Sequence, residues 1–85
     1  FMHADEFETS VMLAIAPDAV QMDRAQPSYP DFPPDFATRQ LRDFNPIGVF
    51  GDPRPATAAK GLAFLDGLTA TSLSAIAAWR TERDI

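Results

Sequence analysis

The chain has 85 residues, no cysteine, eight prolines and one histidine, with seven Lys and Arg against twelve Asp and Glu for a net charge of -5. That length allows one small domain at most, burying only roughly 60 to 65% of the surface its unfolded chain exposes, and without thiols it lacks the disulfide or zinc staples that usually hold so small a core. The few scattered basic residues exclude nucleic-acid binding as a main function, while 46% hydrophobic and 22% charged residues is the composition of a folded chain.

The first expected element is a helix from about Glu6 to Ala16. Phe7, Val11, Ala14 and Ile15 fall at i, i+4, i+7 and i+8, and Met12 and Leu13 widen the stripe. Asp5 is a suitable N-cap with Glu8 three positions on, the capping-box pattern, and Pro17 with Asp18 stops the helix. Its second half is apolar nearly all round, which suits burial in a larger body. A buried strand over Val11 to Ala16 is the alternative, because a short apolar run has no diagnostic period.

From Gln21 to Pro46 no period survives. Pro27, Pro30, Pro33, Pro34 and Pro46 alternate with Tyr29, Phe32, Phe36 and Phe44, which predicts an extended arm, partly in polyproline conformation, pinned across another surface by its aromatics. The same prolines would suit a proline-recognition module, but packing of the arm is the simpler reading. Residues 47–51 form a short extended segment, and Gly51-Asp52-Pro53 turns the chain. The last element is a long helix from about Ala56 to Arg80, with Leu65, Leu68, Ser72, Ile76 and Trp79 as its inner face. Gly61 and Gly67 each cost about 1 kcal/mol relative to alanine inside a helix, so their presence predicts close approach by another backbone.

The residues that could carry chemistry gather at the start: His3 beside Asp5, Glu6 and Glu8, followed by Thr9 and Ser10. Imidazole is the natural proton shuttle near neutral pH. On one continuous helix His3 and Glu8 would be five residues and roughly 140° apart and could not meet. They converge only if His3 lies in extended chain ahead of the helix, and a cap at Asp5 supplies that break. Read alone, the cluster is more often a solvated helix cap than a catalytic site. One imidazole with carboxylates lacks the convergent spacing of a metal site, Thr9 and Ser10 sit in no nucleophile elbow, and Gly48 to Pro53 lacks the Gly-Lys-Ser/Thr end of a phosphate loop.

Larger pieces of the chain resemble the creatininase (creatinine amidohydrolase) family. His3-Ala4-Asp5-Glu6-Phe7-Glu8-Thr9-Ser10 is similar to its His-Ala-Gly-x-x-Glu-Thr-Ser signature, with Asp5 where the family commonly has glycine. Met12 to Pro17, Val20 to Ala25, and Gly48 to Pro53 running on to Ala56 to Gly61 resemble successive landmarks of the family's C-terminal third, in order and over nearly the whole chain. The start at Phe1, inside such a pattern, adds the expectation that this is the C-terminal segment of a longer protein.

The resemblance implies an α/β three-layer sandwich in the parent enzyme, to which this chain gives two helices, the arm and a short strand. It implies hydrolysis of an amide or cyclic amide C–N bond with a pair of divalent metals, zinc or manganese, whose ligand motifs would lie upstream of Phe1. His3 matches the family histidine credited with proton transfer, and Glu8 matches the glutamate of its Glu-Thr-Ser, with an orienting role. The expected partners are the N-terminal part of the same protein, a small-molecule amide substrate and further copies in a homo-oligomer. The longest unbroken apolar run, Val11 to Ala16, is too short for a bilayer, and a soluble, cytoplasmic setting without membrane or nucleic acid is expected. The segment alone should be inert. The rival expectation is a non-catalytic helical assembly or binding module.

Overall fold

The computed structural model describes residues 3–83, and two helices joined by a long irregular arm make up the architecture: α1, Glu6–Ile15, and α2, Ala58–Arg83. α1 starts where Asp5, in extended conformation, accepts a hydrogen bond at Oδ1 from the Glu8 backbone N–H at 3.1 Å. It stops at Ile15, because Pro17 has no N–H to continue the ladder. The Ala16 N–H still donates to the Met12 carbonyl, and Pro17 opens a short 3-10 turn through Ala19. The run Val11 to Ile15 is helical throughout, so the strand alternative does not arise.

α1 packs against the first turns of α2. Phe7 stacks on Phe64 with ring centroids 4.7 Å apart, and Gly61 lies against the Ser10 backbone. The contact cannot extend further for a reason of length: ten residues of α1 span about 15 Å and twenty-six of α2 about 39 Å, at 1.5 Å per residue. From Asp66 to Arg83 every residue is exposed. The face expected to point inward is therefore bare in this chain beyond a half-buried Leu65, with Leu68 at 50%, Ile76 at 53% and Trp79 at 57% exposure. Gly61 meets the backbone approach expected of it, whereas nothing lies within 4 Å of the place where a Gly67 side chain would start. By length and composition α2 could also cross a bilayer, as could many core helices of soluble proteins.

The arm carries 3-10 turns at Met22–Arg24, Phe36–Thr38 and Leu41–Asp43. Its phenylalanines pack on one another, whereas Tyr29 is 73% exposed. Phe32 touches Phe36, Phe44 and Phe50, with centroids 5.1, 5.5 and 5.2 Å away, and Phe50 is the buried member of the cluster. Buried Asn45 closes the following turn, donating from Nδ2 to the Val49 carbonyl at 2.7 Å. The segment 47–51 pairs only through isolated antiparallel bridges, Phe50 with His3 and Gly51 with Ser28. Among the described residues there are helices and no sheet, so the three-layer α/β sandwich is not displayed by this chain. One bridging pair on each side gives a strand too little ladder to form.

The shape is open. A compact monomer of 9.3 kDa would expose roughly 5,000 Å² and have a radius of gyration of about 12 Å. The chain exposes 6419 Å², has a radius of 17.2 Å and measures 51 × 34 × 17 Å.

Candidate functional site

His3 is held from behind. Its N–H donates to the Phe50 carbonyl at 3.2 Å, and the Phe50 N–H donates back to the His3 carbonyl at 2.9 Å, which keeps the chain extended at this point. Because Phe50 is also the buried member of the aromatic cluster, packed on Phe32 and Phe44 of the proline-rich arm, the arm fixes where the histidine backbone lies. The chain then turns at Ala4, whose φ of 51° makes it the one non-glycine residue with positive φ among those described, and enters the Asp5 cap.

This path brings His3 and Glu8 together. Glu8 occupies the third helical position and its side chain reaches back, so that Oε1 accepts from the Ala4 N–H at 3.1 Å and lies 3.6 Å from His3 Nδ1. In a capping box the returning carboxylate meets the cap's own N–H; here it meets the residue before, because left-handed Ala4 turns that N–H toward it. At 3.6 Å the imidazole contact is longer than a formed hydrogen bond, and it becomes an ion pair only when the ring carries a proton on both nitrogens. The His3 side chain is 58% and the Glu8 side chain 48% exposed, so the pair opens to solvent. An open depression of about 320 Å³ adjoins it, lined by Ala4, Glu8, Thr9, Met12, Val20 and Gln21 among others. His3 itself does not line the depression, and its solvent-facing imidazole is of the type that can pass a proton to or from a small molecule.

Asp5, Glu6 and Ser10 of the motif serve the scaffold. Asp5 is 2% exposed and its Oδ1 is engaged by the Glu8 N–H. Glu6 is drawn the other way, toward α2, where Lys60 Nζ donates to Glu6 Oε2 at 2.7 Å and to the Pro55 carbonyl at 2.8 Å. Ser10 is fully buried, and its Oγ accepts from the Thr57 N–H at 3.2 Å, tying α1 to the start of α2. That partner lies 47 residues further along, so no local pattern could have revealed it. Nor does any residue type announce the left-handed turn at Ala4, where alanine stands in a conformation that favours glycine.

A divalent metal pair does not fit these residues. Zinc sites take at least three protein donors, and among the described residues no group of three or more His, Cys, Asp or Glu side chains converges. His3 and Glu8 offer one nitrogen and one carboxylate whose oxygen already accepts from Ala4, while Asp5 and Glu6 face elsewhere.

Comparison with known proteins agrees with the pattern of these residues. Residues 1–76 match the family model described as creatinine amidohydrolase. A curated relative, the mycofactocin precursor peptide peptidase of Mycobacterium ulcerans (strain Agy99), is 35% identical over 81 residues, an overlap of 91% of this chain and 32% of the relative. The chain thus spans about a third of that relative's length. No solved structure matches it. The match runs from the His3 motif through the arm and well into α2, and on that extent the chain belongs to the creatinine amidohydrolase (creatininase) family.

Proposed function

We propose that this chain is the proton-transfer and scaffold portion of an enzyme that hydrolyses an amide or cyclic amide C–N bond, with His3 as general acid and base and Glu8 as the residue that orients it. The observation that carries this reading is the meeting of His3 Nδ1 and Glu8 Oε1 at 3.6 Å in an open, solvent-facing position inside the family-matched segment. Hydrolysis requires two proton movements. As water adds its oxygen to the carbonyl carbon, one of its protons goes to the imidazole. When the tetrahedral intermediate collapses and the C–N bond breaks, the imidazolium gives that proton to the departing nitrogen. The Glu8 carboxylate lies against the ring and limits its rotation between these steps.

The pair of divalent metals, zinc or manganese, belongs to the proposal with its ligands elsewhere in the protein, and no step assigned to this chain runs through it. The relative of which this chain spans about a third is named a peptidase, which favours a peptide bond among the amide substrates. The bare face of α2, with Leu68, Leu73, Ile76 and Trp79 exposed, supports burial against the rest of the protein or another copy in a homo-oligomer. The same face is what favours the second reading, a helical assembly module without catalysis.

The test is His3→Ala in the complete protein that carries this chain. Turnover should fall by about 10² to 10⁴, the usual contribution of a placed acid or base, with bound metal unchanged. Near-normal turnover would leave the assembly module as the better reading, and loss of metal would make His3 a ligand.

A further inference from the structure

We infer that Ala4 is a positioning residue: its left-handed backbone conformation sets the His3 imidazole over the Glu8 carboxylate. The consequence for catalysis rests on the proposed role of His3, but the placement itself does not. Ala4 sits between two anchored neighbours. On one side His3 is fixed by its paired hydrogen bonds to Phe50, and on the other Asp5 is buried as the cap of α1. Only one residue is available to change the direction of the chain between them, and it does so at φ 51°. The helix start does not demand this, since Asp5 is itself extended, with φ -92° and ψ -163°, and makes its cap hydrogen bond unaided.

What the unusual conformation does is local and specific. It directs the Ala4 N–H to Glu8 Oε1 at 3.1 Å, and the same oxygen lies 3.6 Å from His3 Nδ1. One carboxylate oxygen therefore reads both the turn and the ring. If Ala4 adopted an ordinary extended or right-handed conformation, either the Phe50 pairing or the approach to Glu8 would be lost. A side chain with a Cβ meets steric resistance in the left-handed region, and conformations of this kind persist where the surroundings over-determine them, most often at functional sites.

The experiment separates backbone conformation from side-chain bulk. In the complete protein Ala4 is replaced by Thr and by Asn, which are similar in size, and by Gly. Asn and Gly enter the left-handed region readily and β-branched Thr does not. Two quantities are read: kcat, and the nitrogen-15 resonances of the His3 ring, which report on its immediate partners. Ala4→Thr should lower kcat by about 10-fold to 10²-fold, the range a displaced catalytic group produces, with little change in KM, and should move the ring resonances. The conservative Ala4→Asn and Ala4→Gly should rescue kcat to within about threefold and keep the parent's ring resonances. Retention of both quantities in Ala4→Thr would overturn the inference. Loss in Ala4→Gly or Ala4→Asn would overturn it too, and that arm decides even where Ala4→Thr fails to fold. Ring resonances that move in Ala4→Thr while kcat holds would support the placement and refute proton transfer by His3.

Discussion

The carbonyl oxygen of Ser10 occupies the place where a side chain on Gly61 would begin, and the Ala14 methyl stands 2.9 Å from the same point. The two helices touch backbone to backbone there, and the Ser10 hydroxyl, buried in the contact, holds the Thr57 N–H just before α2.

Gly61→Ala should therefore destabilise the helix pair by about 1–3 kcal/mol or more through overpacking, outweighing the roughly 1 kcal/mol that alanine contributes to helix propensity. The obstacle is helical backbone and cannot swing aside. Gly67→Ala is the contrasting variant: beyond its own helix nothing lies within 4 Å of where the added methyl would stand, so in this chain it should raise helix content, as circular dichroism would read. If the same change lowers the melting temperature of the complete protein, another backbone covers Gly67 there.

Three neighbouring variants distinguish the roles at the start of α1. Beside the His3→Ala loss given above, Glu8→Gln should lower turnover less, because the amide keeps an acceptor for the Ala4 N–H while losing the charge next to the imidazole. Asp5→Ala should act chiefly on stability, costing about 1 kcal/mol as a lost cap. Steady-state kinetics with parallel denaturant titrations would rank them, and an Asp5 effect on kcat larger than that of Glu8 would contradict the assignment.

The turn before α2 gives a pH prediction. The Arg54 guanidinium donates to both carboxylate oxygens of Asp52 at 2.9 Å, and the Arg54 N–H adds a third hydrogen bond at 3.0 Å, so the Asp52 pKa is held below its ordinary value of 3.8. A depressed carboxylate pKa contributes stability that is present above the unfolded value and lost as pH falls through the folded one. In Arg54→Ala the carbon-13 titration of the Asp52 carboxyl should move up toward 3.8, and added salt should weaken the parent's shift. An unchanged midpoint would show that the pair does not hold in solution.

Metal binding by the isolated chain should be weak. Of the four acidic or imidazole groups at this helix start only His3 and Glu8 approach each other and no three converge, so zinc or manganese should bind no better than to scattered surface carboxylates. Titration calorimetry showing one stoichiometric micromolar site that disappears in His3→Ala would make the cluster a metal site after all.

The open shape predicts the unfolding behaviour of the 85-residue chain by itself. With a radius of gyration of 17.2 Å and α2 bare from Asp66 onward, melting should be broad and non-cooperative. A sharp calorimetric transition independent of concentration would contradict the proposal that its stability comes from the rest of the protein or another copy.

Short-range chemistry was legible in the residues themselves. A cap is decided within four positions, so Asp5 and Glu8 announce the start of α1 and Pro17 its end. The break at Asp5 also implied that His3 lies outside the helix, the condition for it to meet Glu8. The family was legible in the order of its motifs from His3 to Gly61. Tertiary structure alone decided which long-range partners these signals meet. That Phe50 pins His3 depends on a pairing across 47 positions, that Ser10 is a buried tie and not an exposed hydroxyl depends on Thr57, and that Gly61 is crossed while Gly67 is not depends on α1 being the shorter helix. The left-handed turn at Ala4 is of the same kind. Alanine has no preference for it, and it is imposed between the local cap at Asp5 and an anchor on His3 that the distant Phe50 supplies.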